Sequence, residues 1–190
     1  PYTERRFERL RDLVNRAKRF GVDVLAYYIS NYNYPVPESF YQTHPDCRGT
    51  DWGNAMCTSH PDVQRFLAET TQQLFHSVPG LDGAIVIFDT EGLRSCAMGL
   101  HRTQCPRCRY HTSEEIVMEL LDNVNRGMKA GNPDAEMIAW SYCTAIDPWV
   151  DSAIGKLPEG AILQSGFSQG MTFKRGGVEH ITPDYNITCV

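Results

Sequence analysis

Two periodicities of apolar residues alternate along the chain. Over 3–19, "TERRFERLRDLVNRAKR", Phe7, Leu10, Leu13, Val14 and Ala17 recur at helical spacing with charges between them. This predicts an amphipathic helix that starts at Thr3 and Glu4 and stops at Gly21. Residues 22–30, "VDVLAYYIS", are apolar almost throughout, as in a strand covered on both faces. A polar and aromatic loop with several prolines and glycines runs from Asn31 to His60. "SHPDVQRFLAETTQQLF" then predicts a second helix, with Ser59 as cap, Pro61 in the first turn, and Val63, Phe66, Leu67 and Leu74 on one face. "GAIVIFDTE" (83–91) reads as a strand, and 92–112 as a second long loop. "TSEEIVMELLDNVNRGMKAG" predicts a helix capped by Thr112 or Ser113, with acids in its first turn and Gly131 at its stop. "AEMIAWSYC" (135–143) and "GAILQSGFS" (160–168) are further strands, a short helical piece is expected over 148–156, and "YNITCV" is a candidate fifth strand.

Strands alternating with helices predict a parallel sheet with right-handed crossovers. The long loops follow strands, while the connections from helix back to strand, "SVPGLD" and "AGNPD", are short. A (β/α)₈ TIM barrel has this asymmetry, with function on the loops at the strand C-termini; a doubly wound sheet has a similar one. The fold expected is α/β, a single domain over 1–190 forming part of a (β/α)₈ TIM barrel, about four to five consecutive βα units.

The 83–91 strand ends in acids. Side chains alternate along a strand. Ile85, Ile87, Asp89 and Glu91 therefore share one face, and Val86, Phe88 and Thr90 the other. If the isoleucines fill a barrel interior, the two carboxylates continue that line to its open mouth, where close like charges push pKa values apart and suit one group to general acid work. The alternative is that these acids cap the following turn or pair with Arg94 or Arg102.

The series "GVDVLAYYISN", "FYQTHPDCRG", "AMCTSHPDVQRFL", "PGLDGAIVIFDTEG", "CPRC", "NPDAEMIAWSY" and "RGGVEHITPDY" resembles the catalytic barrel of glycoside hydrolase family 20-like bacterial proteins, near the β-N-acetylhexosaminidases. That resemblance implies hydrolysis of a glycosidic bond, including that of an N-acetylhexosaminide, in a carbohydrate substrate. In family 20 an Asp–Glu pair ends the fourth strand; the Glu is the acid and the Asp orients a substrate acetamido group that acts as nucleophile. By resemblance Glu91 carries over as the general acid. Thr90 stands where the family Asp would be, so the role of Asp89 does not carry over. In the related proteins an acid commonly follows the Ser that ends the strand matching 160–168; here Gln169 follows Ser168. That change favours a non-catalytic glycan-binding or scaffold domain of the same fold as the rival reading. Aromatic faces stack on sugar rings. Trp140, near the end of the third strand, and Tyr142 are therefore expected to line a glycan pocket, with Asn31 and Gln169 as polar partners. Trp140 as interior packing is the competing expectation. A metal-dependent hydrolase using His44, His60 or His101 ranks last, because these histidines lack close ligand spacing.

Cys105 and Cys108 form a C-x-x-C with Cys96 nine positions earlier. This is half or more of a tetrahedral thiolate site, and it predicts a structural zinc that staples the 92–112 loop. The fourth ligand is Cys57, on the previous strand's loop, or His101 or His111. Unlinked thiols or one disulfide are the alternative. Cys47, Cys143 and Cys189 read as ordinary thiols, Cys143 in the core. No organic cofactor is expected.

Composition narrows the partners. The formal charge of −5, without a Lys/Arg run, argues against nucleic acid or a membrane surface. No apolar stretch reaches the roughly 18 residues of a spanning helix. The C-x-x-C favours a reduced compartment, hence a cytoplasmic location. The start, "PYTERR", lacks Met and reads as cleavage, excision or a partial chain. Four or five strands do not close a barrel, so the rest of a barrel or an oligomeric partner is expected to cover the strand edges. "NIT" at 186–188 fits a glycosylation acceptor only by a short pattern.

Overall fold

The computed structural model describes residues 2–28, 36–49, 56–88, 95–98, 102–141, 152–153, 155–166, 172–181 and 187–189. Helices α1 (Tyr2–Lys18), α2 (Glu38–Thr43), α3 (Pro61–Ser77) and α4 (Ser113–Gly131) accompany strands β1 (Leu25–Tyr28), β2 (Gly83–Ile87), β3 (Glu136–Ser141), β4 (Ile162–Gly166), β5 (Thr172–Arg175), β6 (Val178–Ile181) and β7 (Ile187–Cys189). β1, β2, β3 and β4 lie side by side in chain order and run parallel; β7 pairs antiparallel with β4. The protein is therefore α/β with a four-stranded parallel sheet. The candidate fifth strand does join that sheet, in the opposite direction to the one a further βα unit would give it.

Register assigns the two faces. Ala84 and Met137 are Cα partners, as are Val86 and Ala139. These side chains, with Phe88, are buried in one core cluster with Val14 of α1, Phe75 of α3, and Ile116, Leu120, Leu121, Val124 and Met128 of α4. Tyr28 Oη donates to Thr71 Oγ1 of α3 at 3.2 Å, and burial raises the Tyr28 pKa. Helices α1, α3 and α4 thus share one face. The opposite face carries the partner rows Tyr27–Ile85–Ile138–Ile162 and Ile87–Trp140–Gln164. Tyr27 and Ile162 on this face are substantially exposed.

Local chemistry fixes the helices. α4 begins with a full capping box: Glu115 N donates to Thr112 Oγ1 at 3.1 Å, and Thr112 N donates to Glu115 Oε2 at 2.8 Å. The hydrogen bond from the Thr112 backbone amide holds the Glu115 carboxyl below its usual range. α3 is capped by His60, whose Nδ1 accepts from Asp62 N at 3.1 Å, and not by Ser59. The Ser59 hydroxyl is instead buried. Gly131 closes the last turn of α4, and Asn132 is the C-cap. Gly127 lets α3 and α4 approach, since a Cβ there would lie 2.2 Å from the Ala68 carbonyl oxygen. Two expected core positions face outward instead: Leu13 of α1 and Phe66 of α3 are about half exposed. Their neighbours Val14 and Val63 take the centre of each buried stripe.

The N-terminal ends of the strands are tied by one residue, Asp82, through its carboxylate and its backbone. Asp82 Oδ2 accepts from Val24 N at 2.7 Å, Asp82 N donates to Val24 O at 2.9 Å, and Glu136 N donates to Asp82 O at 2.8 Å. Lys18 pairs with the same carboxylate. Burial pushes the Asp82 pKa up, but Lys18 and the Val24 N–H outweigh it and leave it below its usual value. β5 and β6 form a separate hairpin that the sequence reading does not assign; Gly176 and Gly177, at φ of 60° and 80°, make its turn. Of the short helix expected over 148–156, Ser152 and Ala153 are helical; most of the rest lies outside the described residues.

Candidate metal centre and strand-end site

Four cysteines from two loops converge. Cys57 lies near the end of the long connection after β1, shortly before α3, whereas Cys96, Cys105 and Cys108 belong to the connection after β2. Their sulfurs lie within 4.8 Å of one another and all four residues are buried. Cys57 Sγ is 3.8 Å from Cys105 Sγ and 3.5 Å from Cys108 Sγ. No disulfide links them. A regular tetrahedron with metal–sulfur bonds of about 2.3 Å has sulfurs about 3.8 Å apart. The cluster fits that shape.

Short turns bring the sulfurs together. Three 3-10 turns, Cys96–Met98, Arg102–Gln104 and Cys108–Tyr110, fold the loop back on itself. Arg102 spans it, donating to the His111 carbonyl and, at 3.5 Å, to the Cys108 carbonyl. Ser113 Oγ donates to Ala97 O at 3.2 Å and pins the loop to α4. Backbone amides serve the sulfurs as well. Cys108 N donates to Cys105 Sγ at 3.4 Å, and the Ser59 amide hydrogen-bonds to Cys57 Sγ. Such N–H···S bonds orient and charge-balance thiolate ligands.

The thiols share protons unequally. Hydrogen bonds from the Cys108 and Cys96 thiols lower the Cys57 pKa to about 4. The same contacts, with burial, push the Cys108 thiol up. A buried set of four thiols resists full ionisation by itself; a cation at its centre would supply the compensating charge.

Among the described residues, these four cysteines form the one such convergence of His, Cys, Asp and Glu groups. Of the alternatives for the fourth position, His111 turns its Nδ1 toward Glu115 Oε2 at 3.8 Å, and His101 lies outside the described residues. Two of the three histidines of the metal-dependent reading are placed. His44 stacks on Phe40 at 4.6 Å between ring centroids and contacts Thr43 Oγ1, while His60 caps α3. Cys47 is a free buried thiol, 3.8 Å from His60 Nδ1. Burial, then the charges of Asp62 and Asp46, raise its pKa, in keeping with an ordinary thiol.

Of the strand-end residues, Trp140 sits on β3, buried on the face away from the helices, with its ring 6.2 Å from that of Tyr27. Asp89, Glu91, Tyr142, Asn31 and Gln169 lie outside the described residues, as does Cys143. Sequence reasoning missed Gln164, a buried amide in the row of Ile87 and Trp140. The signal was present as a lone polar residue in the apolar run "AILQSG". No helix among the described residues is long and apolar enough to cross a membrane.

An α/β protein with a four-cysteine centre at the C-terminal edge of its sheet is the class this fold and site define. Comparisons with protein-family models, curated proteins and solved structures found no match.

Proposed function

We propose that the chain is a carbohydrate-active hydrolase built on part of a (β/α)₈ barrel, with Glu91 as general acid and Cys57, Cys96, Cys105 and Cys108 holding a structural zinc. The observation that carries the reading is the sheet. Its parallel strands follow chain order without the reversal of a doubly wound sheet, and its helices share one face. That leaves Tyr27, Ile85, Ile87, Ile138 and Trp140 to line a barrel interior. Asp89 and Glu91 follow β2 by two and four residues on the same alternation as Ile85 and Ile87.

Zinc supplies no chemistry to the reaction in this reading, because four thiolates leave it no open position. Its role is to clamp the loop after β1 to the loop after β2, the two loops that frame the strand ends. Within that frame the Glu91 carboxyl, held protonated, gives its proton to the glycosidic oxygen as the anomeric carbon–oxygen bond breaks, and water adds at that carbon to complete the hydrolysis. Asp89 orients or polarises, and Trp140 offers an apolar wall to the sugar ring.

A panel of aryl hexosides and N-acetylhexosaminides tests the activity. Glu91→Gln should lower turnover on a poor leaving group by about 10² to 10⁴-fold, and less on a good one. Unchanged turnover on the poor leaving group would make Glu91 structural. Binding of these sugars without turnover would favour the non-catalytic glycan-binding reading, to which Gln169 already points.

A further inference from the structure

Beside the cysteine centre, the same two loops enclose an open cleft of about 480 Å³. Arg48 lines it from the loop after β1 and Arg107 from the loop after β2, with Pro45 and Pro106 as walls and Cys105 beneath. Its volume is that of an ordinary small-ligand site. Arg107 Nη1 donates to the Asp46 backbone carbonyl at 3.4 Å. Among the described residues, no carboxylate is within ion-pairing distance of Arg107. Arg48 is held in place rather than free: its guanidinium lies 4.2 Å over the Tyr41 ring and pairs with Glu38. The burial of Tyr41, opposed by Arg48, lifts its phenol to about 12, so the ring stays neutral beneath the cation. From Cys96 to Thr112 the sequence has three arginines, Arg102, Arg107 and Arg109, and no Asp or Glu. This is a local cationic surface on a chain of net negative charge.

We propose that this cleft is a subsite for an anionic sugar residue, one bearing a carboxylate or a sulfate ester. The inference rests on the carbohydrate reading above. Guanidinium groups recognise planar or tetrahedral oxyanions through several N–H donors at once. Two of them line one cleft from different loops, Arg48 braced by Tyr41 and Glu38 and Arg107 by the Asp46 carbonyl, and make a receptor for that charge. The Asp46 carboxylate, which also lines the cleft, and the thiolates below oppose an anion. The opposite assignment for the arginines is to balance the thiolates alone, and the test separates the two.

Binding of the metal-loaded 190-residue chain is measured by calorimetry with three tetrasaccharides: a uronate oligomer, a sulfated oligomer and neutral chitotetraose. At least one acidic sugar should bind about tenfold or more tightly than the neutral one, as one to two charge-assisted hydrogen bonds allow, and raised salt should weaken it. Arg107→Ala should erase that preference while zinc content stays at the wild-type value, and Arg107→Lys should restore part of it. The uronate and sulfate arms tell which oxyanion the cleft takes. Three results would overturn the proposal: equal affinity for neutral and acidic sugars, a preference unchanged in Arg107→Ala, or single-stranded DNA bound as tightly as the acidic sugar. Loss of zinc in Arg107→Ala with the acidic preference intact would assign the arginine to the thiolates and also overturn it. If chitotetraose binds or is cleaved without any acidic preference, the subsite fails and the hydrolase reading stands; if no sugar binds, both fail.

Discussion

The cysteine segment 95–112 and the hairpin 172–181 are both short and poor in large apolar side chains, yet they are ordered in opposite ways. Cys96, Cys105 and Cys108 are almost wholly buried, with exposures of 0–1%, although little hydrocarbon surrounds them in sequence. The hairpin is exposed along β6, with Val178 at 59% and Ile181 at 65%. The first segment is gathered by side chains that converge on a point shared with Cys57, seated beside another helix. The second is held by a backbone ladder and a Gly–Gly turn. A segment without its own core can be fixed by converging ligands, which act at long range in sequence. It can also be fixed by turn chemistry, which acts over a few residues.

Breaking one anchor should therefore leave the other region intact. The largest effect belongs to the cysteines. Cys105→Ser should lower zinc affinity by more than the roughly 10–100-fold that loss of an outer-shell partner costs. Amide exchange should rise over 95–112 and at the start of α3, and stay unchanged over 172–181. Exchange rising equally in both regions would mean that the centre holds the whole fold rather than two loops.

Gly176→Val is the converse. The residue sits at positive φ, where a side chain costs about 1–2 kcal/mol, and an isolated two-stranded ribbon has little stability in reserve. Exchange protection over 172–181 should collapse while zinc content and the melting temperature hold. A fall in melting temperature would show that the hairpin packs on more than its own ladder.

The smallest effect lies at the far end of the sheet and serves as a control for both. Asp82 has its folded pKa lowered, so its contribution is present above the unfolded value of about 3.9 and is lost as pH falls through the folded value. Lys18 has its folded pKa raised, mainly by the hydrogen bond to Asp82, so its share is present below about 10.4 and is lost as pH rises through the folded value. Asp82→Asn should flatten the acid limb of a stability–pH curve below about pH 4 without altering metal content. An unchanged acid limb would remove Asp82 as the tie between β1 and β2.

These regions also differ in how far the sequence announced them. The cysteine centre was legible because thiolate ligation leaves a chemical signature in spacing. C-x-x-C with a third Cys nearby names three ligands, and the fourth was among three candidates that geometry then reduced. The parallel sheet was legible because strands buried beneath helices, such as "GAIVI", read as unbroken apolar runs. The hairpin was not legible, because β6 is exposed along its length and so shows no buried alternation to detect. The cap of α3 went to His60 rather than Ser59, since an imidazole nitrogen can accept the same amide bond that a hydroxyl would. Leu13 and Phe66 were assigned inward from spacing alone. Periodicity fixes the angle of a side chain around its helix but does not say how wide the buried stripe is.

In the proposed reading Cys57, Cys96, Cys105 and Cys108 hold one metal ion between the loop after β1 and the loop after β2. X-ray absorption at the zinc edge, on chain purified under reducing conditions and loaded with zinc, tests it most directly. The expected result is close to one zinc per chain with four sulfur neighbours at about 2.3 Å. Substoichiometric metal, or a shell of nitrogen and oxygen at about 2.0–2.1 Å, would contradict it.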